Sequence, residues 1–293
     1  MTENALNVFV DKLAEKTAQA ITVDDGDYKG EDGLLYCGKC HTQKQTIVEF
    51  FGERKKAMCL CQCATQRRDA AIAEHRKMER LRQIMQMRTD GFPEREMQNW
   101  NFANDDGANP KATNIAKRYV ENFDTMRERG KGLVFYGNVG TGKTFYAACI
   151  ANALIDSGRP CLVTNFVRLA NELNANFDRR QEFLDGLNRY DLLVIDDLAA
   201  ERDTEYMSEI VQTVIDSRYR AKLPTIITTN LTAEELKNPA EIRKQRTYSR
   251  LLEMCLPVEI TGKDRRRAQL VHDYAEFNEL LGLSQEDAKE AAK

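Results

Sequence analysis

The sequence predicts an α/β chain in two parts: a domain with a parallel sheet flanked by helices and, before it, a small cysteine-bearing module. Three observations predict it. The run Gly137-Asn138-Val139-Gly140-Thr141-Gly142-Lys143-Thr144 stands between a strand-like apolar run and a helical one, which is the setting of a phosphate-binding loop. Beyond it, strand-like and helical patterns alternate, which implies parallel strands with crossover helices on both faces. Five of the eight cysteines, Cys37, Cys40, Cys59, Cys61 and Cys63, crowd together near the start.

A chain of 293 residues has room for one α/β domain and something smaller. The net charge of −3 means that any contact with nucleic acid must come from a local basic face. The opening residues show no basic stretch leading into an apolar one, and no apolar run approaches the roughly 18 residues of a membrane span. The expected location is the cytoplasm, away from membranes.

Taken in order, residues 4–20 place Leu6, Phe9, Val10, Leu13 and Ala14 at helical spacing, an amphipathic helix. The acidic stretch Asp24 to Asp32 reads as a solvated linker. Cys37-x-x-Cys40 forms a knuckle whose thiolates point at one tetrahedral Zn²⁺, and two of Cys59, Cys61 and Cys63 complete the site, with His41 a weaker candidate. In a reducing compartment such a cluster holds metal in preference to disulfides. Between the two groups, Ile47, Val48, Phe50 and Phe51 suit a hairpin too small to bury a core unaided, so zinc would supply much of its folding energy. From Ala64 to Arg88 a helix follows whose basic residues outnumber the acidic ones, either a solvated face or a contact for single-stranded nucleic acid or a partner. Gly91 and Pro93 end it, and residues 89–109, with Trp100 and Phe102, read as a linker.

Pro110 opens a helix with Ile115, Tyr119, Val120 and Phe123 on one face. The strand Leu133 to Tyr136 then delivers the phosphate loop. Its glycines let successive N–H groups turn inward, and the following helix adds its positive end. Lys143 would reach the β- and γ-phosphates, and Thr144 would hold Mg²⁺. Cys161 to Thr164 reads as a strand, 167–177 and 180–187 as helices, and Leu192 to Asp197 as a strand ending in two carboxylates, the Walker B pattern. Asp196 would assist Mg²⁺, and Asp197 would polarise the attacking water. After a helix over 203–220, the strand 224–229 ends at Asn230, placed to touch the γ-phosphate or the water. Residues 241–267 are basic and include Arg246, Arg250, Arg265, Arg266 and Arg267, and an arginine delivered to the phosphates stabilises transition-state charge.

The segments Gly137–Thr144, Asp191–Ala200, Pro224–Asn230 and Arg246–Cys255 (GNVGTGKT, DLLVIDDLAA, PTIITTN and RTYSRLLEMC) together resemble the AAA+ ATPases of the DnaC/DnaI helicase-loader group. The IstB-like ATPases that assist DNA transposases share a close motif pattern and give the alternative reading, against which the N-terminal cysteine cluster stands. The resemblance implies an AAA+ domain with a parallel five-stranded sheet. It makes Lys143 and Thr144 the Walker A pair, Asp196 and Asp197 Walker B, Asn230 sensor 1, Arg250 the arginine finger used in trans and Arg265 the sensor 2 arginine. The usual Walker B glutamate is replaced here by Asp197. The implied plan is a zinc-binding, partner-docking module with its basic helix over 1–88, a linker over 89–109, the ATPase over 110–270, and a helix with a charged tail over 271–293. The implied activity is slow ATP hydrolysis, stimulated by DNA or partner, in a protein that binds a hexameric replicative helicase and helps place it on single-stranded DNA.

Overall fold

The computed structural model describes residues 23–50, 52–175, 177–200 and 204–265, together with Phe277 and Leu280. The helix expected over 4–20, Arg266 and Arg267, and all of 271–293 except Phe277 and Leu280 lie outside the described residues. Contacts divide the chain into two compact units that part between Leu81 and Arg82.

In the first unit β1 (Tyr28–Lys29) pairs antiparallel with β2 (Leu35–Tyr36), and β3 (Gln45–Phe50) pairs antiparallel with β4 (Glu53–Met58), which is the expected hairpin. Ile47 and Val48 are exposed on it, so the hairpin supplies little core. The helix α1 (Gln62–Gly91) begins in this unit. The acidic stretch 24–32 is mostly exposed, as its composition suggests, but two of its carboxylates are tied to Lys44. Asp27 is buried and accepts hydrogen bonds from the Lys44 ammonium at 2.5 Å and from the Gly38 amide at 3.1 Å, while Asp24 takes a second Lys44 bond at 3.0 Å. A cation only 3% exposed needs such partners, and the acidic loop provides them. Burial alone would lower the Lys44 pKa, but the two carboxylates outweigh it and the pKa rises.

The second unit is built on a five-stranded sheet in the order β6-β7-β8-β5-β9, every pairing parallel. Its strands are β5 (Gly132–Tyr136), β6 (Cys161–Asn165), β7 (Leu192–Leu198), β8 (Thr225–Thr229) and β9 (Cys255–Glu259). The helices are α2 (Pro110–Glu121), α3 (Phe123–Glu128), α4 (Lys143–Asp156), α5 (Phe166–Ala175), α6 (Arg180–Leu187), α7 (Glu205–Ala221), α8 (Ala233–Lys237) and α9 (Ile242–Met254).

Both faces of the sheet are covered, which explains why the strands read as unbroken apolar runs. Leu133 and Phe135 join Ala116, Tyr119, Ile150 and Leu154 of α2 and α4 in one core cluster. Val134, Leu193, Ile195 and Ile227 join Phe166, Leu169, Ile210 and Val214 of α5 and α7 in the other. Asn109 caps α2 by accepting the Ala112 amide, and Pro110 occupies the first helical position, where no donor is lost. β9 was not marked by periodicity: Leu256 is 64% exposed, and Pro257 is tolerated because the strand lies at the sheet edge. Residues 89–109, expected as a linker, carry a short 3₁₀ turn, Glu96–Asn99, with Phe92 and Met97 buried beside it. The turn is pinned by Asn152 of α4, whose amide donates to the carbonyls of Met97 and Trp100 at 2.8 and 2.9 Å. No helix among the described residues is long and apolar enough to cross a membrane.

Candidate functional site

The carboxyl ends of parallel strands are where such sheets bind ligands, and here they open onto a cavity of about 500 Å³. The phosphate loop leaves β5 at Gly137, where a β-carbon would lie 2.5 Å from the Ile260 carbonyl oxygen. At Gly140, with φ of +75°, any side chain would collide with Asp264. Lys143 opens α4. Its ammonium donates to the carbonyls of Gly137 and Asn138 at 3.0 and 2.7 Å. Val139, Gly140, Gly142, Lys143 and Thr144 line the cavity, and Thr141 is turned inward with its hydroxyl on the Asn138 carbonyl.

Across the cavity, β7 ends in the two predicted carboxylates. The Thr144 hydroxyl donates to Asp196 at 2.9 Å, and the Thr228 hydroxyl donates to the same carboxylate at 2.5 Å. Burial pushes the Asp196 carboxyl up; Thr228 and Thr144 oppose the rise while neighbouring Asp197 adds to it. A carboxylate held half-buried against its own preference, with two hydroxyls on it, is suited to a divalent cation. The register of β7 against β8 shifts between Ile195 and Leu198, and within this bulge Asp197 takes φ of +56°. The bulge turns Asp197 out of the strand plane toward the cavity, which it lines with Asn230. Its backbone amide is held by the Thr228 hydroxyl at 2.9 Å.

Arg265 also lines the cavity. Its amide donates to the Gly140 carbonyl at 2.9 Å, and its guanidinium meets Asp106 at 3.0 Å and the Tyr146 hydroxyl at 3.3 Å. Arg250 is elsewhere. On α9 it pairs with Asp216 and lies over the Tyr219 ring, 5.6 Å from its centre, and it is not among the residues lining this cavity. A second cavity of about 380 Å³, between α7 and α9, contains none of the predicted site residues.

In the N-terminal unit the Sγ atoms of Cys37, Cys40, Cys61 and Cys63 all lie within 4.8 Å of one another. The Cys37–Cys63 and Cys61–Cys63 separations are 3.6 and 3.4 Å, near the roughly 3.8 Å edge of a tetrahedron with 2.3 Å Zn–S bonds. Cys59 points away, its thiol toward the Gln43 carbonyl, and the His41 ring meets the Tyr28 hydroxyl. The Thr42 hydroxyl and nearby amides bring Cys40 down to about 5, whereas contact with the thiols of Cys61, Cys37 and Cys40 pushes Cys63 up to about 12. Four sulfurs this close cannot all ionise without a cation among them, so the donor set fits Zn²⁺.

The family model described as IstB-like ATP binding protein matches residues 67–271, from the basic helix through the last site arginine. The chain belongs to that family. Within the IstB-like ATP-binding proteins its similarity runs to the replicative helicase loaders DnaI of Bacillus subtilis and DnaC of Escherichia coli. It is 25% identical to the first over 65% of this chain and 66% of DnaI, and 31% identical to the second over 43% of this chain and 51% of DnaC. The chain thus spans about two thirds and one half of these relatives' lengths. A crystal structure of the DnaC helicase loader superposes with a TM-score of 0.50 at 27% identity, covering 57% of this chain and all of that one. The fold is accordingly the AAA+ P-loop fold of an ATP-binding family, and the DnaC/DnaI-type resemblance drawn from the sequence holds.

In this IstB-like protein the site also contains residues that the motifs do not name. Thr228 bridges Asp196 and Asp197, and its only sequence signal is the hydroxyl pair before Asn230. Asp106, Glu96, Asn104 and Trp100 reach the cavity from the segment ahead of α2, with Trp100 6.0 Å from the Phe145 ring centre.

Proposed function

We propose that the chain is a cytoplasmic ATP-dependent helicase loader. It would bind a hexameric replicative helicase through its N-terminal module and help place that ring on single-stranded DNA, with ATP hydrolysis timing the release. One observation carries the reading: a chain similar to replicative helicase loaders has its phosphate loop, Asp197 and Asn230 lining a single cavity, with Asp196 held on the Thr144 hydroxyl beside it.

In this reading Gly137, Asn138, Val139, Gly140, Thr141 and Gly142 cradle the phosphates through their amides, and Lys143 leaves its two loop carbonyls for the β- and γ-phosphates. Thr144 and Asp196 hold Mg²⁺, which supplies charge neutralisation at the phosphates. Asp197 orients the attacking water, and Asn230 senses the γ-phosphate. Arg265 reaches the same phosphates from the cavity wall. Arg250, away from its own cavity, is offered to the nucleotide of a neighbouring copy, so that hydrolysis requires self-association and stays slow until DNA or partner gathers the copies. Cys37, Cys40, Cys61 and Cys63 hold a structural zinc, since four thiolates leave no open position for chemistry. The domain plan is the one given above, with the docking module over 1–88 and the ATPase over 110–270.

Native mass spectrometry of the full chain with the replicative helicase of the same cell and ATP tests this. A helicase hexamer carrying several copies, each heavier by one zinc, is the expected result. Zinc-bearing chains that form no complex would remove the loader reading.

A further inference from the structure

We infer that Asp106 is a positioning residue for Arg265. It holds the guanidinium at the cavity wall and competes for it with the terminal phosphate of a nucleoside triphosphate, so Asp106 tempers the preference that Arg265 gives for triphosphate over diphosphate. The inference rests on the reading of Arg265 as a phosphate contact.

Both residues line the nucleotide cavity and meet at 3.0 Å. The Asp106 carboxylate is itself fixed, because the same oxygen accepts the Ala108 amide at 2.9 Å. Arg265 is held against the phosphate loop on several sides. Its amide is on the Gly140 carbonyl, and its guanidinium is so close to Gly142 that a β-carbon there would lie 3.2 Å away. The same group lies 6.0 and 5.8 Å from the ring centres of Phe145 and Tyr146, the two residues that follow Thr144 in α4. The Tyr146 hydroxyl, within 3.3 Å of Arg265, also contacts Asp105 at 3.4 Å, and the Asn109 amide donates to the Thr261 carbonyl at 3.0 Å. Segments 105–109 and 261–265 are thus clasped together beside the loop, and the Asp106–Arg265 pair is a charged link of that clasp whose two members both line the cavity. An arriving triphosphate offers Arg265 more negative charge than Asp106 does. The Asp106 carboxylate, 52% exposed, is a weak enough partner to be displaced.

The test is equilibrium titration of the full chain with AMPPNP and with ADP, using Asp106→Asn, Arg265→Ala and the double variant. Asparagine keeps the oxygen that accepts the Ala108 amide, so the turn survives. Asp106→Asn is expected to tighten AMPPNP about threefold while leaving ADP nearly unchanged, the size expected when a half-exposed competing ion pair is removed. The gain should vanish in the Arg265→Ala background. If Arg265→Ala lowers the AMPPNP preference but Asp106→Asn fails to raise it, the positioning role is overturned and the phosphate role of Arg265 stands. If Arg265→Ala leaves the preference unchanged, the phosphate role fails and takes this inference with it.

Discussion

The Thr144 hydroxyl donates to Asp196 at 2.9 Å, joining the start of α4 to the end of β7. Bringing the two expected Mg²⁺ ligands together buries the Asp196 carboxylate at a cost to the fold, which this hydrogen bond offsets only in part. The folded pKa of Asp196 lies above its unfolded value of about 3.8, chiefly through burial. Such a carboxyl favours the fold while protonated. That advantage is present below the unfolded pKa, is lost as pH rises through the folded pKa, and is absent at neutral pH. Asp196→Asn is therefore expected to raise the Tm of the nucleotide-free chain by a few degrees while cutting Mg²⁺-dependent turnover at least a hundredfold, as is common where function strains a fold. Calorimetry and an ATPase assay on one preparation check both halves, and a lowered Tm would contradict the burial argument.

Asp197 separates backbone from chemistry. Its φ of +56° suits asparagine and aspartate but penalises other side chains by about 1 kcal/mol or more. Asp197→Asn should leave stability within about 0.5 kcal/mol and ATP affinity within a few-fold, yet lower turnover by roughly 10². Asp197→Val should be less stable than Asp197→Asn in urea melts. Equal melts would mean that the bulge relaxes.

For the metal, Cys61→Ser should abolish stoichiometric zinc and melt the N-terminal unit, whereas Cys59→Ser should keep one zinc per chain. Chelation of the unsubstituted protein should do the same as Cys61→Ser, leaving ATP binding by the second unit intact. Elemental analysis with circular dichroism decides, and zinc loss in Cys59→Ser would move that thiol into the site.

The phosphate loop, Asp196 and Asp197 are legible in the sequence because apolar runs of fixed polarity deliver them to one end of a sheet, and local pattern is enough to see that. The bulge at Asp197 is not, since it arises from how β7 registers against Thr229 of β8. The edge strand β9 is hidden by exposed Leu256 and Pro257, and the choice among Cys59, Cys61 and Cys63 depends on distances in space. Asp27 reads as a loop acid because its partner, Lys44, lies beyond the first knuckle. Asp106 sits in a run of asparagine, aspartate and glycine, where composition signals only a turn.

Among the described residues, Arg243, Lys244 and Arg246 give α9 a basic start, and Arg243 and Arg246 are exposed. If this segment follows single-stranded DNA, log Kobs should fall steeply with log salt, by about 0.7 for each phosphate neutralised, and Arg246→Ala should reduce the slope by roughly that amount. Fluorescence anisotropy of a labelled oligonucleotide across a salt series measures it. A flat response would leave α9 as a solvated face.

Arg250 pairs with Asp216 on its own chain, and that pairing raises its pKa, so it remains a cation at any working pH. It does not line its own nucleotide cavity, and in the reading proposed above it acts on the nucleotide of another copy. Arg250→Ala should bind ATP normally and lose about 10³ in turnover, the usual worth of such a cation. Lys143→Ala should lose both binding and turnover. Mixing the two inactive variants then distinguishes the arrangements: a finger working in trans restores part of the activity, because an Arg250→Ala subunit still holds ATP and its Lys143→Ala neighbour still carries the arginine. A finger working within one chain restores none, and a dead mixture that still assembles by light scattering would take Arg250 out of the role.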